Sequence, residues 1–92
     1  MHTDKLRALM FGIPIGVPSH ELAGEQVLLL KDVPLELESS LRRWLWAQPE
    51  LVREDSPAYA LRVDAAERMA IPWEVWEQYL SWMQQTLAQA LD

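Results

Sequence analysis

The chain has 92 residues, of which half are hydrophobic and five are tryptophan, and its formal net charge is −6. This size allows one domain, residues 1–92, with a modest core, and it excludes a deep cleft between two lobes. The charge is concentrated in residues 47–92, which carry eight carboxylates against three arginines. Such a surface repels nucleic acid and attracts basic proteins, so we expect a basic protein partner and no direct contact with nucleic acid.

The composition also bears on where the protein resides. The chain has no cysteine, which excludes disulfides and is compatible with the cytoplasm. Residues 9–17 are apolar and come after Lys5 and Arg7, as in a signal peptide, but Gly12 and Pro14 interrupt them and no small-residue cleavage site is present after them. No segment approaches the roughly 20 apolar residues that span a bilayer. We therefore predict a cytoplasmic protein without a cleaved signal or a membrane span.

The first third of the chain contains one clear element. Residues 4–11 fit either a short helix or the start of a strand, and the sequence does not decide between them. Residues 12–18 alternate glycine and proline with β-branched residues, which is typical of an extended edge segment or an ordered loop. Residues 19–24 read as a turn. Residues 26–31 form a short apolar run without alternation, which predicts a strand covered on both faces.

A first main helix is predicted over residues 34–48. Asp32 precedes it and can accept hydrogen bonds from the free N–H groups of its first turn. Pro49 ends it at or before the preceding residue. Trp46 lies off the apolar stripe, and we interpret it as a flank of the core rather than a binding residue. The inward stripe of this helix is Leu37, Leu41, Trp44 and Leu45.

The middle of the chain predicts a connector and then a hairpin. Residues 49–57 are polar and acidic and read as a connector. Residues 59–63 alternate in the manner of a strand with one covered face. Residues 64–67 read as a turn and residues 68–71 as a second strand, so the hairpin leads directly into the last helix.

The last fifth of the chain is a tryptophan-rich helix. Pro72 suits its first turn, and neither glycine nor a second proline interrupts residues 73–92. One apolar stripe, with helical spacing, is Trp73, Trp76, Leu80, Met83, Leu87 and Ala90. A second stripe is Val75, Tyr79, Trp82 and Thr86. The whole pattern predicts an α+β fold, with a small antiparallel sheet of three or four strands and two main helices on one face, the second of them forming the C-terminus.

No residue pattern indicates catalysis or a cofactor. His2 and His20 lie far apart without further ligand spacing, which argues against a metal site. The serines have no nucleophile-elbow context, and the glycines do not form a phosphate-binding loop. Glu74 and Glu77 are neighbours on the last helix, where a carboxylate pair is ordinarily a solvated edge. We therefore expect no cofactor and no enzyme activity.

Two features favour nucleic acid as an alternative ligand. Arg42 and Arg43 lie beside two tryptophans, although the net charge favours an interpretation in which they solvate the outer helix face. Residues 63–75 resemble the V-D-x-x-G-R-x-x-I-P-x-E-[VL] run of the AbrB and MazE type of swapped-hairpin proteins, except that Glu67 stands where that family has glycine. The resemblance implies an intertwined dimer that binds DNA as a transcriptional regulator, with Arg62 and Arg68 at the positions of phosphate contact.

The favoured hypothesis is a small acidic protein that binds another protein, as antitoxins, immunity proteins and phage-encoded inhibitors of host defence do. Acidic residues speed the encounter with a basic partner, and aromatic residues then supply most of the affinity. The predicted anchors are Trp76, Tyr79 and Trp82, and the predicted steering charges are Glu74, Glu77, Glu54 and Asp55. Alternatively, the tryptophans belong to the core or to a homodimer seam, or the chain is a structural subunit of a larger assembly.

Overall fold

The structure of the chain, a computed structural model, describes Pro18 and residues 20–91, with Leu87, Ala90 and Leu91 described by their backbone alone. The predictions for residues 4–11 and 12–17 lie outside this part of the chain. The elements are β1 (His20–Leu22), β2 (Glu25–Leu29), a 3-10 turn (Leu30–Asp32), α1 (Leu35–Trp46), α2 (Pro49–Val52), β3 (Arg62–Val63), β4 (Met69–Pro72) and α3 (Trp73–Leu91). The predicted α+β fold, with its second main helix at the C-terminus, is confirmed.

The four strands form one antiparallel sheet in the order β1-β2-β4-β3. The two central strands, β2 and β4, place Leu28 opposite Ile71 and Leu29 opposite Ala70. Successive side chains of a strand point to opposite faces of the sheet, and both faces of β2 are buried over residues 27–29. The prediction of a strand covered on both faces is therefore confirmed.

The main core lies between one face of the sheet and the two long helices. Leu28 and Ile71 supply the sheet side of this core. On the opposite face, Val27, Leu29 and Ala70 form a second, smaller buried cluster. None of the described helices is long and apolar enough to cross a membrane. The helix residues buried in the main core are Leu37, Leu41 and Leu45 of α1, Leu51 of α2, and Trp73, Val75, Trp76, Tyr79, Leu80 and Met83 of α3.

The first hairpin corrects the predicted turn at residues 19–24. Residues 20–22 form β1, and only Ala23 and Gly24 make the turn. Both have positive φ, 50° and 84°, as the two central residues of a type I′ hairpin turn do. The turn prediction was too wide because a three-residue edge strand with mostly polar side chains has no apolar alternation to reveal it.

The second hairpin is shorter than predicted and is held by one carboxylate. β3 contains Arg62 and Val63 alone, and β4 is displaced by one residue from the predicted strand at 68–71. Asp64 Oδ1 accepts hydrogen bonds from the backbone N–H groups of Ala66 and Arg68, at 2.9 Å and 2.8 Å. The backbone hydrogen bond from Arg68 is the main cause that holds the pKa of Asp64 below its ordinary value. These bonds keep the turn closed although Glu67 has a φ of 61°, a conformation that favours glycine.

The first long helix begins differently from the prediction. The chain leaves β2 through the 3-10 turn, so the predicted strand at 26–31 ends at Leu29. Pro34 occupies the N-cap position of α1 without a side-chain hydrogen bond, and the predicted cap by Asp32 is wrong. The 3-10 turn carries the Asp32 carboxylate away from the helix, to 3.4 Å from His20 Nε2 and 3.7 Å from Lys31 Nζ.

The first long helix also ends earlier than predicted. It stops at Trp46 rather than at Gln48, and the first four residues of the predicted connector at 49–57 form the short helix α2. Leu51 is buried in the main core, and its carbonyl accepts a 2.7 Å hydrogen bond from the Ala60 N–H. Leu51 thus attaches the connector to the core, a contact that the polar composition of the connector does not indicate.

We expect Ala23→Asn to stabilise the fold by about 0.5–1 kcal/mol, because asparagine tolerates positive φ and Asn-Gly is a preferred type I′ pair. Ala23→Val is the control, since a β-branched residue is disfavoured at positive φ and should destabilise the fold. Urea unfolding of the three proteins measures both changes. A less stable Ala23→Asn protein would contradict the positive φ of this residue.

Two leucines of α1 test which side of the helix faces the core. Leu41 is 0% exposed and Leu35 is 80% exposed. Leu41→Ala should lower the free energy of unfolding by about 2–5 kcal/mol, because it leaves a cavity in the main core. Leu35→Ala, the same change on the same helix, should alter it by less than about 0.5 kcal/mol. Equal losses in thermal or urea unfolding would contradict this orientation of α1.

Candidate functional site

The structure places the three predicted aromatic anchors at different depths. Trp76 and Tyr79 are 0% exposed, so both contribute to the core and are not accessible to a partner in this fold. Trp82 is 41% exposed, on the border between the buried and exposed sides of α3. Of the remaining tryptophans, Trp73 is nearly buried and Trp46 is half exposed.

Tyr79 is the centre of an aromatic cluster that extends from the core to the surface. Its ring stacks on Trp76 with the ring centroids 5.5 Å apart. The edge of the cluster is completed by Trp44, at 5.6 Å in an edge-to-face arrangement, and by Trp82, at 5.9 Å. Aromatic pairs of this kind add about 0.5–1.5 kcal/mol each beyond the burial of their surface. Trp82 is therefore held on one side while its other side meets solvent.

The hydroxyl group of Tyr79 is buried and has no hydrogen-bond partner within the described part of the chain. Burial raises the pKa of Tyr79 above its ordinary value, and the Ser40 hydroxyl and the Arg43 guanidinium act in the opposite direction. The phenol is thus protonated at neutral pH and lies near two polar side chains of α1.

A groove lies between the C-terminal part of α1 and the partly exposed side of α3 at Trp82. Its volume is about 510 Å³, and its lining includes the side chains of Trp44 and Trp82. Gln48 Nε2 donates a 3.0 Å hydrogen bond to the carbonyl oxygen of Trp44, which holds the amide at one end of the groove. We call this the α1–α3 groove, and it is lined by Ser40, Arg43, Trp44, Ala47, Gln48 and Trp82.

Arg43 differs from every other described arginine. Its guanidinium is exposed and forms no ion pair with any carboxylate in residues 20–91. The N–O distances of the paired arginines are 3.2 Å for Arg42–Glu38, 3.0 Å for Arg53–Asp55, 2.9 Å for Arg62–Glu25 and 2.8 Å for Arg68–Asp64. Among the described side chains, Arg43 of the α1–α3 groove therefore carries a positive charge that no carboxylate pairs with.

The exposed surface outside this groove carries the opposite charge. Of the predicted steering charges, Glu74, Glu77 and Glu54 are exposed and unpaired among the described side chains, whereas Asp55 is bonded to Arg53. Glu74 and Glu77 lie on the side of α3 that faces away from the core. The full set of described carboxylates without an ion pair is Glu21, Glu36, Glu50, Glu54, Glu67, Glu74 and Glu77.

The two arginines suggested for phosphate contact are both engaged within the chain. Arg62 Nε donates to Glu25 Oε1 at 2.9 Å, and its Nη1 donates to the Tyr59 carbonyl at 2.6 Å. Arg68 Nε donates to Asp64 Oδ2 at 2.8 Å. A phosphate would have to compete with these carboxylates for either guanidinium.

Within Pro18 and residues 20–91, no three histidine, aspartate or glutamate side chains are grouped so that they could hold a metal ion. The chain matches no protein-family model, and comparison with curated proteins and with solved structures found no match either.

Sequence reasoning did not identify the α1–α3 groove. Ser40, Arg43, Trp44, Ala47 and Gln48 follow the helical spacing of three and four residues, which was the available signal. That spacing shows a common face of α1, but it does not show that Trp82 of a distant helix closes the other side. The free hydroxyl of Tyr79 had no sequence signal.

Tyr79→Phe removes one unpartnered hydroxyl and leaves the ring contacts in place. At neutral pH we expect the variant to equal the wild type or to exceed its stability by up to about 1 kcal/mol, because a buried unsatisfied group is removed. The folded-state pKa of Tyr79 is raised, so its contribution to stability is present below the ordinary tyrosine pKa and is lost as pH rises beyond it.

The free energy of unfolding, measured in urea from neutral pH to about pH 11, should therefore fall less steeply for the variant than for the wild type. The remaining tyrosine described, Tyr59, is present in both proteins and cancels in the comparison. A variant that is clearly less stable at neutral pH would show that the hydroxyl has a partner in solution.

Proposed function

We propose that this chain is a non-enzymatic protein-binding protein that docks on a basic partner through its acidic, tryptophan-bearing C-terminal half. Antitoxins, immunity proteins and inhibitors of host-defence complexes work in this way: a small protein covers a functional surface of a larger one. The proposal needs a surface charge that attracts the partner and an exposed apolar anchor beside it. α3 supplies both.

The observation that carries the proposal is the exposed face of α3. Glu74 and Glu77 have no cationic partner among the described residues, and Trp82 is half exposed on the same helix. Unpaired carboxylates raise the rate of encounter with a basic surface, and this attraction weakens as salt increases. Trp82 can then enter a pocket of the partner, as tryptophan anchors commonly do.

The support behind Trp82 makes it suitable as an anchor. Its ring lies 5.9 Å from that of Tyr79, which in turn packs on the buried Trp76. A side chain already held in the free protein loses little rotamer entropy on binding. More of its contact energy therefore appears as affinity.

Acidic residues outside α3 add to the negative charge that a basic partner would meet. Glu54 is exposed in the segment after α2 and is unpaired among the described residues, so it adds to the field that a basic partner meets. Asp55 contributes less, because Arg53 neutralises it at 3.0 Å. We assign the steering role to Glu54, Glu74 and Glu77 and the anchoring role to Trp82.

The test is affinity purification of the tagged chain from its native host, with nuclease treatment and identification of retained proteins by mass spectrometry. We expect one stoichiometric basic protein that survives nuclease. Trp82→Ala should weaken its retention while lowering the free energy of unfolding by only about 1 kcal/mol, against about 3–5 kcal/mol for the buried Trp76→Ala.

Charge variants distinguish electrostatic steering by the carboxylates of α3 from a general effect of lowering the net negative charge. The double change Glu74→Gln and Glu77→Gln should slow association with the purified partner several-fold at low salt. The control is Glu36→Gln with Glu50→Gln, which removes two exposed carboxylates away from α3. Equal effects of the two pairs would contradict docking through α3. Retention of nuclease-sensitive nucleic acid without a protein would contradict the proposed function itself.

A further inference from the structure

The α1–α3 groove has a polarity opposite to that of the rest of the described surface. The described carboxylates outnumber the described basic side chains, yet none of them lines this groove. Its one charged side chain is Arg43, which is also the one described arginine without a carboxylate partner. An exposed guanidinium without an anion, beside side chains that donate hydrogen bonds, is a recognition group for an anion.

Two side chains that line the groove can donate hydrogen bonds to an anion. Arg43 supplies its guanidinium and Ser40 supplies its hydroxyl group. A carboxylate carries two acceptor oxygens, so one can meet the Arg43 guanidinium while the other meets a hydroxyl.

The aromatic lining of the groove favours a ligand whose uncharged part is a flat aromatic group. Trp44 and Trp82 contribute aromatic side chains to its lining, and Ala47 contributes a small apolar one. Aromatic rings prefer to stack or to meet edge to face, so a flat aromatic group fits against such side chains. The volume of about 510 Å³ is within the range of small-molecule sites and accommodates a ligand of one or two rings.

We propose that the α1–α3 groove binds a small aromatic carboxylate, with its carboxylate at Arg43 and its ring between Trp44 and Trp82. A monoanion is favoured over a phosphate group, because the net charge of −6 opposes a second negative charge and the groove holds a single guanidinium. This ligand is distinct from the basic protein partner, and the inference does not depend on that partner.

The proposal is tested with 2-naphthoate as the probe, titrated into the purified full chain by calorimetry and by NMR of the tryptophan indole N–H signals. We expect saturable binding with one site and shifts in the signals of Trp44 and Trp82, assigned with single Trp→Phe variants. The uncharged 2-naphthalenemethanol, which has the same ring system, should bind about tenfold more weakly because it lacks the charge-assisted hydrogen bonds.

Two adjacent arginines provide a matched pair of variants. Arg43→Gln should weaken 2-naphthoate binding about tenfold and leave the affinity for 2-naphthalenemethanol unchanged. Arg42→Gln removes the same charge one residue away, from an arginine that is already paired with Glu38, and should change binding less than about twofold. Ser40→Ala, which removes the hydroxyl that lines the groove, should weaken binding a few-fold while the variant stays folded, as its thermal unfolding will show.

Three results would overturn the proposal. The first is equal affinity for 2-naphthoate and 2-naphthalenemethanol, which would mark an apolar surface without an anion site. The second is an equal loss of binding in Arg42→Gln and Arg43→Gln, which would mark general charge attraction. The third is the absence of shifts at Trp44 and Trp82 with 2-naphthoate at about 10 mM, a concentration that detects even millimolar affinity.

Discussion

The pairing of β2 with β4 is the interaction on which the remaining structure depends. β4 ends at Pro72, which lies opposite Val27, and α3 begins at the next residue. There is no loop between strand and helix that could absorb a change of direction. The register of this one strand pair therefore decides where Trp76, Tyr79 and Trp82 stand relative to the core, because their positions are set by the helical turn that starts at Trp73.

The aromatic cluster extends from the core to the surface because of this placement of α3. Trp76 closes the core, Tyr79 packs between it and the outer rings, and Trp82 is left with one face in solvent. Trp44 of α1 belongs to the same cluster. The boundary between α1 and α3 is therefore lined by tryptophan side chains and by the polar side chains of Ser40 and Arg43. The same aromatic cluster thus stabilises the core and forms part of the surface at the α1–α3 groove.

Charge divides the described surface into two regions. Glu74 and Glu77, on the exposed side of the N-terminal half of α3, have no ion pair among the described residues, and we propose that they attract a basic protein. Arg43 is the exception among the described arginines, and it is an exposed residue that lines the α1–α3 groove. The other described arginines are each neutralised by a nearby carboxylate, so they stabilise hairpins and helix turns and leave little positive charge for nucleic acid.

The sequence by itself determined the fold class, both long helices, the buried central strand and the acidic character of the C-terminal half, because periodicity and composition are local properties. Only the tertiary structure decided that Trp76 and Tyr79 are buried while Trp82 is exposed, since all three lie on apolar stripes of the same helix. It also decided that residues 20–22 form an edge strand and that Asp32 faces His20 rather than a helix end. The α1–α3 groove depends on bringing together residues about 40 positions apart, such as Trp44 and Trp82, and no local sequence pattern shows which distant side chain will line a surface.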